Sequence, residues 1–284
     1  MRKPVFAGSF YPRSEPALKK AIESCFVSEK GPGELPAKSK PKKLLAVIAP
    51  HAGYQYSGSA AAWSYKEIAE SQRPDVFVIL APNHNSGRSG ICMETFLTPF
   101  GEVRVDQEFA RELAAKGTIH VNDEIHRPEH SIEVQLPFLQ YALGHEAVGM
   151  KILPILVSSD LDLSKAALDL KETIIDLDRK VLFIVSSDFT HYGKNYQYLP
   201  FFKDVKENLS ELDGRAFELI KGADYTGFEE FMDETDDTIC GFYPILLLLR
   251  TVKFKEAILE QYYTSGDIVG EYSNSVSYAS IVFR

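Results

Sequence analysis

Four short runs of β-branched and aliphatic residues constrain this chain more than any other feature: LLAVIAP at 44–50, VFVILAP at 76–82, ILPILVSS at 152–159 and VLFIVSS at 181–187. Each has the length of a strand and is apolar at successive positions. Both faces of such a strand must be buried, which is the pattern of a parallel sheet covered by helices on two sides. Between the runs lie stretches with helical periodicity, at about 57–70, 106–115, 162–178, 204–220 and 243–252. A further helix is expected over 15–26, where Leu18, Ile22 and Phe26 share a face, Ser14 can cap and Pro16 sits in the first turn. This alternation predicts an α/β fold with a mostly parallel sheet and right-handed crossovers. The late run YSNSVSYASIVF (272–283) adds a strand that can run antiparallel to the others.

Composition narrows the function classes. With 284 residues, 45% hydrophobic and 25% charged, the chain can build one large core, and we read 1–284 as a single domain. The stretch 28–43, rich in lysine and proline, reads as an exposed loop rather than a domain boundary. Asp and Glu number 40 against 31 Lys and Arg, and the acids are scattered. No basic stripe is therefore available to neutralise phosphates, which argues against nucleic acid. The longest aliphatic run, ILLLL at 245–249, is far short of the ~20 apolar residues of a membrane span. Cys25, Cys92 and Cys240 are far apart, with no CxxC spacing, which suits a reducing cytoplasm. Pro4, Gly8 and Pro12 interrupt the N-terminal stretch before any secretory signal develops.

In an open α/β sheet, ligands bind beyond the carboxyl ends of the strands. His51 follows the first run, His84 the second, and Asp188 with His191 the fourth, so three strands carry imidazole or carboxylate to one edge. In PHAGY (50–54) and PNHN (82–85) a proline precedes the histidine and stiffens the turn that aims it, and Gly53 leaves room for close backbone approach. Each histidine taken singly also fits an ordinary surface turn. In SSDFTHYG (186–193), Asp188 and His191 are three apart, and in a helical first turn they would share a side, Asp188 setting the imidazole tautomer or simply capping.

The segment 128–143 places Ile132, Leu136, Leu139 and Leu143 at helical spacing, with Pro137 kinking or restarting the helix. Glu129 and Glu133 lie near His130 as an ion cluster, as groups that orient the histidine, or as an acid–base set. Cys240 stands at the entrance to a helix starting near Pro244, where the dipole favours a thiolate, and Gly241 beside it suggests a backbone needing room. Tyr54, Tyr56, Phe189 and Tyr192 could line a pocket for a planar molecule or serve only in packing.

Taken in order, AGSFYP (7–12), APHAGYQYSGSAAA (49–62), APNHN (81–85), TPFGEVRVD (98–106), EHSIEVQLPFL (129–139), SSDFTHYG (186–193), TICG (238–241) and SVSYAS (275–280) resemble the Memo family, named for a mediator of receptor-driven cell motility. The resemblance implies a three-layer α/β/α sandwich with a mostly parallel mixed central sheet, similar to the catalytic subunit of extradiol non-haem iron dioxygenases. It implies that His51, His84 and Cys240 face a metal, Fe(II), copper or zinc, with Asp188 and His191 lining the pocket, His191 as the acid–base histidine and His130 as a further pocket residue. Those dioxygenases use two histidines and a carboxylate. Cys240 replaces the carboxylate here, which puts ring cleavage in doubt, and Asp160, at the end of another strand run, reads as a helix cap rather than a substitute ligand.

Three readings follow. The first is a cytoplasmic metal-dependent oxidase or oxygenase with His51, His84 and Cys240 as ligands and Asp188 with His191 for proton transfer. The second is a protein whose strand-end pocket binds a small molecule or a peptide without catalysis. The third, a cysteine hydrolase or transferase with Cys240 as nucleophile, ranks last because it leaves two histidines without a task.

Overall fold

The computed structural model of the chain describes residues 1–37 and 41–284. The strands in chain order are β1 (Ala46–Ala49), β2 (Val76–Pro82), β3 (Gly90–Ile91), β4 (Phe96–Thr98), β5 (Gly101–Val105), β6 (Lys151–Val157), β7 (Val181–Ser186), β8 (His191–Gly193), β9 (Ala257–Thr264) and β10 (Asn274–Phe283). The helices are α1 (Glu15–Val27), α2 (Tyr54–Ala69), α3 (Gln107–Lys116), α4 (Asp123–His126), α5 (Gln135–Leu143), α6 (Leu163–Asp176), α7 (Val205–Lys221), α8 (Tyr225–Thr235), α9 (Phe242–Thr251) and α10 (Ser265–Val269). One sheet contains every strand, in the order β4-β5-β6-β2-β7-β1-β10-β8, with β3 attached to β6 and β9 to β10. The inner part β5-β6-β2-β7-β1 is parallel, and antiparallel strands flank it on both sides.

The four apolar runs are β1, β2, β6 and β7. All residues of β1 and β2 are buried, as expected of strands covered on both faces. One covering layer contains α2 with α1 and α5, and the other contains α9 with α6 and α3. The sequence of α9, FYPILLLLRT, is apolar nearly all round because it is enclosed by β2, β6, β7 and α6. This three-layer mixed α/β architecture is the fold class the sequence implies. No helix among the described residues is long and apolar enough to cross a membrane.

Local differences have physical causes. Ser14 occupies the N-cap of α1 but makes no side-chain capping bond, whereas Asp106 and Asp162 do cap α3 and α6. In 128–143 the helix begins only at Gln135, with Pro137 in its first turn where a missing N–H costs nothing. Residues 188–191 are not a helical turn: the chain leaves β7 in extended form and enters β8, which pairs with β10. Residues 38–40 of the loop expected over 28–43 lie outside the described residues. The hairpin β4–β5, α8 and β9 were not anticipated from the sequence.

Candidate metal centre

The sheet order determines which side chains meet. Strands β2, β7 and β1 are adjacent and parallel, with Leu80 beside Val185 and Ser186 beside Ala49, so their carboxyl ends lie together. His51, His84 and Asp188 are within two residues of those ends. The rings of His51 and His84 have centroids 5.2 Å apart. His130, from the turn before α5, completes a cluster at 5.3 Å from His51 and 4.7 Å from His84. The donor atoms of these three histidines lie within 4.8 Å of one another.

Hydrogen bonds decide which nitrogen each ring offers. Ser186 Oγ donates its single proton to the Ser131 carbonyl at 2.6 Å and receives Gln135 Nε2 at 2.8 Å. It can therefore only accept from His51 Nδ1, 2.8 Å away, which leaves Nε2 of His51 as a lone pair. Glu129 does the same for the other two rings: its Oε1 lies 2.9 Å from His84 Nδ1 and 3.2 Å from His130 Nδ1. The backbone N–H groups of His84, His130 and Ser131 and the Asn85 amide also donate to this buried carboxylate. Burial alone would raise the Glu129 pKa, but the hydrogen bonds from His130 and His84 outweigh it and hold the group well below the usual carboxylate range. Three Nε2 lone pairs, each backed by an acceptor on Nδ1, are the arrangement in which imidazoles bind metals. Glu129 is the orienting residue that sequence reading left undecided.

Cys240 reaches the cluster from the loop between α8 and α9. Its Sγ is 3.3 Å from His51 Nε2 and receives the Asp188 N–H at 3.2 Å, although it stands outside the 4.8 Å group of imidazole nitrogens. Gly241 permits this approach: a Cβ there would fall 2.2 Å from Ser187 Cβ and Oγ, so any other residue would push α9 and Cys240 away from β7. Burial, and then the Asp188 charge, raise the thiol well above its ordinary value, while burial and the neighbouring His84 and His130 lower His51. Desolvation thus overrides the helix dipole expected to favour a thiolate, and without a cation the sulfur and imidazole pair is neutral.

Asp188 is buried, and its Oδ1 accepts the His51 backbone N–H at 2.8 Å. It fixes the His51 backbone rather than the His191 tautomer. His191 Nδ1 instead meets the Thr238 carbonyl at 3.1 Å, and the His191 N–H donates to Thr238 Oγ1 at 2.7 Å. Desolvation raises Asp188 and lowers His191, moving both toward their neutral forms. Asp160 is exposed and accepts from Ser89, away from these groups.

The aromatic residues at the site differ from those expected. Tyr54, Phe189 and Tyr192 are buried packing residues, with the Tyr54 hydroxyl on the Val134 carbonyl and the Tyr192 ring stacked on Phe201. Phe10 instead lies against His130 at 4.6 Å and Phe6 at 5.5 Å, while Tyr196 meets His191 edge-on. Phe6 and Phe10 belong to an N-terminal arm held by Glu133, which accepts from Arg2, the Tyr11 hydroxyl and the N–H groups of Val5 and Phe6.

Comparison with known proteins agrees with the fold and motifs. A model of the Memo-like protein family matches residues 2–282. A MEMO1 family protein of Methanopyrus kandleri is 40% identical over 295 residues, spanning 100% of this chain and 99% of that protein. A MEMO1 family protein of Thermococcus kodakarensis is 37% identical over 299 residues, with the same coverage of both chains. The solved structure of an uncharacterised protein from Escherichia coli K12 superposes with a TM-score of 0.52 at 10% identity, covering 85% of this chain and all of that one, a likeness of fold alone. With a family model spanning nearly its whole length and relatives matched end to end, this chain belongs to the Memo-like family.

Proposed function

We propose that this chain is a metal-dependent redox protein that holds Fe(II), copper or zinc on His51, His84 and Cys240, with Asp188 and His191 moving protons beside it. The observation that supports this reading is the set of imidazoles whose Nδ1 atoms are all engaged by acceptors, which leaves each Nε2 unprotonated, that of His51 toward Cys240 Sγ. His130 is the obvious rival to Cys240, but its ring is stacked on His84 at an interplanar angle of 21°. An imidazole lone pair lies in the ring plane, so an ion in the plane of His84 stands off the plane of His130. The His51 ring is near perpendicular to both, and its Nε2 faces Cys240 Sγ.

Two imidazoles and a thiolate suit iron, copper or zinc, and iron or copper bound there would supply one-electron exchange. The protein's own groups do the rest. Glu129 and Ser186 orient the rings, Asp188 and His191 hold exchangeable protons, and Phe6 and Phe10 form an apolar wall for a planar small molecule. A metal-free cysteine hydrolase is disfavoured because burial raises the Cys240 thiol and lowers its His51 partner, which keeps the pair neutral.

Elemental analysis of the purified protein and its variants tests the assignment. His51→Ala and Cys240→Ala should lose the ion and His130→Ala should keep it. Unchanged metal content in the first two overturns the ligand set, and loss in His130→Ala with retention in Cys240→Ala replaces it with the histidine trio.

A further inference from the structure

Next to His191 lies a pair of carboxyl groups that the metal site does not use. Asp213 of α7 and Asp237, which follows α8, are both buried, and Thr190 stands between them. Its Oγ1 is 2.7 Å from Asp213 Oδ1 and 3.0 Å from Asp237 Oδ2. A hydroxyl has one proton to donate, so it cannot serve both acids. Asp213 is the better supplied, since it also takes the Thr190 N–H at 3.2 Å and the Tyr262 hydroxyl at 2.8 Å. Asp237 receives the Thr238 N–H at 2.6 Å on Oδ1, and its Oδ2 faces a threonine oxygen whose proton points elsewhere. Two unprotonated oxygens held 3.0 Å apart in a buried site repel each other. A proton on Asp237 turns that contact into a hydrogen bond and completes the chain Asp237–Thr190–Asp213.

The chain ends on His191. Thr238, held by Asp237 through its N–H, clasps His191 three times: its Oγ1 receives the His191 N–H at 2.7 Å and donates to the His191 carbonyl at 3.0 Å, and its own carbonyl accepts His191 Nδ1 at 3.1 Å. We propose that Asp213 and Asp237 share one proton, and that this proton-bridged pair positions His191 by fixing the Thr238 peptide that sets its tautomer. The importance of that positioning for proton transfer rests on the role given to His191 above; the bridge itself does not depend on it.

Burial, and then the Asp213 charge, raise Asp237 to about 7, and burial raises Asp213 as well. The other titratable groups around the pair are Tyr262 of β9, Tyr198 after β8, Asp236 and His191 itself. Because the folded value of Asp237 lies above its ordinary 3.8, the bridge contributes its full stabilisation below about 4 and loses it as pH rises through 7.

Full-length protein labelled with 15N-histidine and 13C-carboxyl aspartate tests this by nuclear magnetic resonance between about pH 5 and 9. One aspartate carboxyl should titrate near 7, and the His191 ring signals should show an inflection at the same pH. Asp237→Asn keeps a donor toward Thr190 but cannot ionise, so it should abolish both while leaving metal content unchanged. Asp213→Asn should move both inflections to lower pH. If every aspartate is already ionised in the ordinary carboxylate range in the unmodified protein, or if His191 titrates identically in wild type and Asp237→Asn, the proposal is wrong. With 15N-threonine added to the labels, the unmodified protein decides the matter even if the substituted chains fold poorly: the Thr238 N–H, which Asp237 accepts and Asp188 does not, should shift at the pH of the raised carboxyl, and an unmoved Thr238 N–H overturns the proposal. Failure of metal binding with both inflections retained would overturn the metal reading and leave the proton bridge intact.

Discussion

Glu129 and Asp188 are both buried carboxyls bordering the same imidazoles, yet their surroundings shift them in opposite directions. Glu129 collects hydrogen bonds from two histidine rings, three backbone N–H groups and an asparagine amide, and it is held well below the carboxylate range. Asp188 receives one backbone N–H, from His51, and burial raises it. Glu133 is supplied with donors by Arg2, Tyr11 and two backbone N–H groups, and Asp237, like Asp188, is raised by burial. Burial penalises both carboxylates at the imidazoles, and the donors supplied to Glu129, two of them imidazoles, outweigh that penalty where the single donor to Asp188 does not. Well-supplied acids hold rings and chain segments in place, while poorly supplied ones are left able to exchange protons.

The largest effect expected from this contrast is on stability. Glu133→Ala strands the buried Arg2 guanidinium and frees the N-terminal arm, and should cost about 3–5 kcal/mol in denaturant unfolding. A change much smaller than this would mean that donor number is a poor guide to what a buried acid does here. Glu129→Gln loses the negative acceptor shared by His84 and His130, and should weaken metal binding ~10–100-fold in a competition assay with little change in secondary structure. The same variant of the metal-free protein sharpens the comparison in acid. The folded value of Glu129 lies below its ordinary 4.5, so its stabilisation is complete above that pH and is lost as pH falls below it. Glu129→Gln should therefore flatten the acid limb of the stability profile. Asp188→Asn should be the mildest, at about 1 kcal/mol or less, because the amide oxygen still accepts the His51 N–H. Its signature has the opposite sign: the raised Asp188 makes the folded state lose stability as pH rises from about 4, and the asparagine variant should not.

Much of this was legible in the order of residues because the strongest signals are local. β1, β2, β6 and β7 announce themselves as doubly buried runs, and the rule of strand carboxyl ends picks out His51, His84, Asp188 and His191. β9 was hidden because its AILEQYYT run is only half-buried along most of its length, and β4 because three residues carry too little periodicity. Residues 188–191 suggested a helical turn since a three-residue spacing looks the same on paper in a helix start and in an extended chain. What brings His191 and Thr238 together is the extended path into β8. The double clasp by Glu129, the stacking of His130 on His84 and the Asp213–Thr190–Asp237 chain join residues far apart in the polymer, so no window of sequence contains them.

The distance in sequence between His51 and Cys240, 189 positions for a 3.3 Å contact, has a consequence for biosynthesis. While the ribosome is still making α8, the histidines have already been translated but the sulfur has not, so no nascent intermediate can complete the proposed set of His51, His84 and Cys240. The last strand to emerge, β10, is also the one that pairs with β1 beside His51. In the proposed site, ligation by the sulfur would have to wait until Cys240 has been made, and a chain truncated before Cys240 would carry the imidazoles without it.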